Sequence, residues 1–165
     1  MQAARNRSPA RGSPKAVALG KKEEVKTASI TYKNGAVYKG EINDKHERHG
    51  KDGKLTMPGG EAEYCGEFEN NRFINGTLTY SKDCWFKGTF DDNNQFEQGT
   101  FHKGNTEYTG KFKNQKMVGE FTVKWTSGIQ YVGPVQDNKL HGQGGVMTYP
   151  EGHNIKQIEG TWVAD

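Results

Sequence analysis

Apolar residues take every second position in short runs that recur along the chain. The clearest run is an aromatic, a variable residue, a glycine, a variable residue and a hydrophobe. It reads Tyr38-Lys39-Gly40-Glu41-Ile42, Tyr64-Cys65-Gly66-Glu67-Phe68 and Phe86-Lys87-Gly88-Thr89-Phe90. It continues as Tyr108-Thr109-Gly110-Lys111-Phe112, Tyr131-Val132-Gly133-Pro134-Val135 and Ile158-Glu159-Gly160-Thr161-Trp162. Successive copies start 26, 22, 22, 23 and 27 residues apart, which marks an internal repeat. Between them lie polar turns and second short runs, such as Gly76-Thr77-Leu78-Thr79-Tyr80 and Gly99-Thr100-Phe101. These are rich in β-branched and aromatic residues and predict strands. Each unit therefore predicts a β-hairpin. Ile30-Thr31-Tyr32 with Asn34-Gly35 supplies a leading strand and a turn into Tyr38.

Period two places residues 131, 133 and 135 on one face of a strand, and their counterparts likewise in each copy. The glycine in the middle leaves room for an aromatic ring from a neighbouring strand. Gly40, Gly66, Gly88, Gly110, Gly133 and Gly160 are the six expected structural glycines. Lys39, Glu67, Lys87, Thr109 and Lys111 alternate away from the rings, toward water. One hairpin cannot bury such a face, but a stack of hairpins can. The expected fold is all-β: an elongated, single-layer, twisted antiparallel sheet of about six stacked hairpins over residues 29–165. About twelve strands at ~4.8 Å make a rod of roughly 55 Å. The last run, Trp162-Val163-Ala164-Asp165, leaves an open edge that invites a partner or self-association.

Composition sharpens this picture. The 32% of hydrophobic residues and the mean hydropathy of −0.96 argue against a conventional two-layer domain with a thick aliphatic core. The 11% aromatic content argues against a wholly disordered chain. The net charge of +3 is unevenly spread. Residues 1–28 carry seven bases against two acids, and the other 137 residues carry sixteen against eighteen. The basic segment 1–28 is expected to be a disordered tail. It holds Ser8-Pro9-Ala10-Arg11 and Ser13-Pro14-Lys15, expected sites for proline-directed phosphorylation at Ser8 and Ser13. Phosphates there would remove much of the tail's charge. The faintly acidic body offers no strong basic field, so no nucleic-acid partner is expected. No apolar run reaches the length of a membrane helix, and no apolar segment follows Arg5, Arg7 and Arg11 as in a secretory signal. Two cysteines make no disulfide framework, and the expected setting is intracellular and reducing.

Catalytic chemistry is not expected. His46, His49, His102, His141 and His153 are scattered among turns and strand ends, without metal-ligand spacing to cysteine. Cys65 alternates away from Tyr64 whereas Cys84 shares the face of Phe86, so the two should lie on opposite faces. Asp91-Asp92 and Glu61-x-Glu63 fall at turns or strand starts, where carboxylates are solvated. No phosphate-cradling glycine loop is present. Neither cofactor nor metal is expected.

The repeated residues resemble the membrane occupation and recognition nexus (MORN) repeat family. The best match runs Tyr131-Val-Gly133-Pro-Val135, then Asp-Asn-Lys, His141-Gly142-Gln-Gly144 and a strand to Tyr149-Pro-Glu-Gly152. Other copies have drifted: the fourth keeps Gly119 but carries Phe121 where the second glycine belongs, and the Trp position returns to Trp only at Trp162. The resemblance implies a non-catalytic scaffold that binds protein partners through an extended surface, in a cytoskeletal, ciliary, flagellar or axonemal setting. The expected groove residues are Tyr38, Tyr64, Phe86, Tyr108, Tyr131 and Trp162, with Trp85 beside them. It also implies a homodimer through terminal repeats. The alternative it raises is peripheral binding to anionic phospholipid, such as phosphoinositide, weakly assisted by the tail.

Overall fold

The computed structural model describes residues 25–163. Ser8, Ser13 and nearly all of the basic tail lie outside them. The strands are β1 (Lys26–Thr31), β2 (Val37–Ile42), β3 (Arg48–Thr56), β4 (Glu63–Glu69), β5 (Arg72–Ser81), β6 (Cys84–Phe90) and β7 (Phe96–Lys103). They continue with β8 (Thr106–Lys113), β9 (Lys116–Trp125), β10 (Gln130–Gln136), β11 (Lys139–Leu140), β12 (Gly142–Thr148) and β13 (Gln157–Trp162). All belong to one open antiparallel sheet in chain order, with β11 and β12 a single return strand interrupted at His141. Among the described residues there is no α-helix, only a 3-10 turn at Pro58–Gly60. The first strand begins at Lys26, inside the segment 1–28 expected to be tail. Lys26 pairs with Ile42 and bonds Asp44 at 2.7 Å, which fixes this stretch to the sheet.

The turns on one edge follow from side-chain chemistry. Asn70-Asn71, Asn114-Gln115 and Asp137-Asn138 are two-residue turns with positive φ at both positions. That conformation matches the twist of paired strands, and Asn and Asp tolerate it. The longer turns after β2 and β6 are held by one side chain each. Asn43 Oδ1 accepts from the amides of Lys45 and Glu47, and Asp91 Oδ1 from those of Asn93 and Gln95.

The register creates two continuous rows across the sheet. One runs Ile30–Tyr38–Leu55–Tyr64–Leu78–Phe86, then Phe101–Tyr108–Val123–Tyr131–Met147–Ile158, each directly opposite the next. The other is a row of glycines. Gly53, Gly66, Gly76, Gly88, Gly99 and Gly110 stand opposite one another on six successive strands, and Gly110 faces Phe121.

The two rows make the core. Tyr38 lies over Gly40 and Gly53, Tyr64 over Gly66 and Gly76, and Tyr131 over Gly133 and Gly145. At Gly40, Gly66 and Gly133 the covering ring comes from the glycine's own strand, two residues earlier, where a neighbouring strand was expected to supply it; Gly53, Gly110 and Gly145 do meet rings of the following strand, from Phe68, Phe121 and Trp162. Each phenol then donates to the carbonyl three residues on: Tyr38 to Glu41 at 2.6 Å, Tyr64 to Glu67 at 2.8 Å and Tyr131 to Pro134 at 2.9 Å. A Cβ on the glycines under Tyr38, Tyr64 and Tyr131 would sit 2.5–3.0 Å from a tyrosine oxygen. Gly160 differs from the expectation: nothing lies within 4 Å of where its Cβ would be.

Units are joined by edge-to-face rings. Tyr38 meets Phe68, Tyr64 meets Phe90, Phe86 meets Phe112 and Tyr131 meets Trp162, at centroid distances of 5.2–5.6 Å. In every case the first ring of one hairpin packs on the Trp-position ring of the next, geometry favoured by the ring quadrupoles.

Candidate functional site

Of the seven residues expected to line a groove, Tyr38, Tyr64, Phe86 and Tyr131 are 0% exposed. Their surface is consumed by glycines and neighbouring rings, so they offer nothing to a partner. Burial also pushes the Tyr64 phenol up to about 12 and raises those of Tyr38 and Tyr131. Trp162 is partly buried, with its indole donating to the Gly145 carbonyl at 3.0 Å, and it closes the last slot. Trp85 points to the opposite face of the sheet, where it stacks on His102 with centroids 5.0 Å apart. Strand alternation from Phe86 accounts for this.

Tyr108 is the exception. Phe121 stands opposite Gly110 and its ring covers that glycine, the place a tyrosine takes in the sister units. The Trp-position residue that would have caged Tyr108 is Val135, too small to reach, and Phe121 packs edge-to-face on Phe112 at 5.2 Å instead. Tyr108 is left half-buried, turned toward Phe101 at a centroid distance of 6.5 Å, and its hydroxyl makes no bond to a carbonyl of its own strand. Phe101 occupies a row position that holds Leu55, Leu78, Val123 and Met147 on the other return strands.

The turn edge departs from its pattern at the same place. Asn71, Asn94 and Asn138 each reach back one hairpin and accept a bond from a backbone amide: Arg48 at 3.0 Å, Phe73 at 2.7 Å and Met117 at 2.9 Å. The equivalent residue for Phe96 is Gln115, one methylene longer, and no such bond forms. Ion pairs fasten the other turns, Lys26–Asp44, Arg72–Asp92 and Lys116–Asp137.

Both departures open one cavity of about 480 Å³ on the ring face, reaching from Leu78 and Tyr80 on β5 to Met117 on β9. Phe96, Phe101 and Tyr108 form its floor; Asn94, Lys103 and Asn138 stand at its rim. The signal for it in the sequence was Phe121, a ring in a glycine position.

Glu63 is held below the usual carboxylate range by its bond to Lys54. Desolvation, with Glu63 close by, pushes the Cys65 thiol up, away from a reactive thiolate. Cys65 is exposed and Cys84 is partly buried, on opposite faces as expected, and both are free. Asp91 and Asp92 serve their turn and the pair with Arg72. His141, at the break between β11 and β12, donates its amide to the Pro134 carbonyl at 3.1 Å. Among the described residues, no three His, Cys, Asp or Glu side chains are grouped to hold a metal ion. Comparison of the chain with protein-family models and with curated proteins returns no match.

Proposed function

We propose that this chain is a non-catalytic MORN-type scaffold that binds a protein partner on the ring face of its sheet, within a cytoskeletal or ciliary assembly. The observation that carries the binding reading is the cavity over Phe96, Phe101 and Tyr108, where the otherwise sealed aromatic row is open to solvent. Concave apolar sites with a few convergent polar groups are where ligands bind, and extended repeat surfaces are suited to lengths of polypeptide. The repeated Tyr-x-Gly hairpins support the family reading; the setting rests on that resemblance.

The test is site-specific photo-crosslinking in the native cell. A photoreactive side chain replaces Tyr80, on the cavity wall, or Val132, on the opposite face and 43% exposed. Protein adducts from position 80 and few from 132 are the expected result. Equal adducts from both positions, or adducts to phospholipid alone, would replace this reading with non-specific or membrane association.

A further inference from the structure

We infer that the cavity between the third and fourth hairpins selects an acidic partner: an extended peptide that buries one large apolar side chain flanked by Asp or Glu. This rests on the scaffold reading and adds the chemistry of the occupant.

Three observations define that chemistry. The first is the polarity of the rim. Asn94 and Asn138 spend their carboxamide oxygens on the amides of Phe73 and Met117, so each has its NH₂ left to donate. Lys103 is exposed, lies on the wall and makes no ion pair among the described residues. The Tyr108 hydroxyl, released from the carbonyl that its counterparts bind, is a further donor. The rim thus offers donors and a cation, with no carboxylate in the lining. Charge complementarity then favours carboxylates in the occupant.

The second is the floor. Phe96, Phe101 and Tyr108 are each only partly buried and present ring surface that none of the described residues covers. A buried apolar anchor from the partner would complete this packing, as hot-spot side chains do.

The third is extent. The lining reaches from β5 to β9, four strand spacings or about 20 Å, which an extended segment of about six residues spans. The anchor then sits near the middle, with acidic neighbours within reach of Lys103 at the rim.

Two phage libraries of peptides of about twelve residues are panned against the immobilised full chain. One flanks randomised apolar positions with Asp and Glu, the other with Lys and Arg. The acidic library is expected to yield binders with an aromatic or large aliphatic residue between carboxylates. Synthesised binders should lose about tenfold in affinity on Lys103→Glu and should be unaffected by Lys87→Glu, an exposed lysine on the opposite face. Both variants change exposed lysines, and thermal melting verifies that they fold. Binders from the basic library alone, or binders indifferent to Lys103→Glu, would overturn the inference and leave the scaffold reading intact. No binder from either library, with protein adducts still forming at position 80, would do the same. No binder and no adducts would overturn both.

Discussion

Phe121 and Gly110 face each other across β8 and β9, and the ring fills the space that a Cβ on its partner would need. This pair marks where the repeat exchanges one way of filling its core for another. Tyr38, Tyr64 and Tyr131 each reach over a glycine of their own strand and one of the next; here Phe121 takes that place over Gly110 from the following strand.

Gly110→Val should therefore be costly. The new side chain would enter the volume of the Phe121 ring, 2.6 Å from where the Cβ stands. A loss of roughly 1–3 kcal/mol is expected, as for other overpacked cores. Gly160→Val is the control, since its Cβ would meet nothing within 4 Å. Thermal denaturation of the two variants should show a clear drop for the first and little change for the second. Similar drops in both would mean that glycine acts through strand conformation and not through space.

Gln115→Asn should stabilise the chain. Gln115 sits at φ 61, and the shorter amide would take the position from which Asn94 and Asn138 cap the hairpin before them. The gain expected for one such bond is about 1 kcal/mol. The midpoint of thermal unfolding should rise and the Phe96 amide should exchange more slowly. Asn94→Ala should do the reverse at Phe73. A faster-exchanging Phe96 amide in Gln115→Asn would count against the capping account.

High pH should weaken the fold through buried phenols. Unfolded tyrosine loses its proton near 10, whereas folded Tyr64 keeps its proton up to about 12 because burial disfavours the phenolate. Between those values the native state holds a proton that the unfolded state has lost, so stability falls as pH rises. It is fully present below pH 10 and gone above 12, a loss of roughly 3 kcal/mol for Tyr64 alone. Tyr38 and Tyr131 act in the same direction. Urea midpoints measured on either side of pH 10 should show the decline, and Tyr64→Phe should reduce its slope. A slope unchanged in that variant would exclude Tyr64 as a source.

The phenols should also divide by context. Tyr64→Phe removes the bond to the Glu67 carbonyl and should cost about 1 kcal/mol. Tyr108→Phe removes a hydroxyl with no such partner and should leave the melting temperature nearly unchanged. Phe86 already occupies the equivalent slot without a hydroxyl and is 0% exposed. A large loss in Tyr108→Phe would show that its hydroxyl has a structural role.

Much of this architecture was legible in the residues because period-two alternation and repeated glycines are local signals. Tyr38, Tyr64 and Tyr131 declared their strands and their faces. What they did not declare was their burial, since Tyr108 sits in the same five-residue motif and has a different fate. That difference depends on Phe121, on the next strand, and on Val135, one hairpin further, and only the register brings the three together. The second half of the glycine row was equally hidden. Gly76 and Gly99 read as strand starts, and their role appears once they stand opposite the motif glycines Gly66 and Gly88. Gln115 lies in a polar turn. Its one extra methylene matters only beside the amide of Phe96.

The one-to-one register has a consequence for the length of the molecule. Because each strand contributes one residue to each row, a whole hairpin is the natural quantum of insertion or loss. Removing residues 84–105 would bring β8 into the place of β6, with Tyr108 opposite Leu78, and every remaining row would stay aligned. Removing a single strand would reverse the direction of all that follow. The sheet is in that sense a ruler graduated in pairs of strands, and its span can change by whole divisions without redesign of a core.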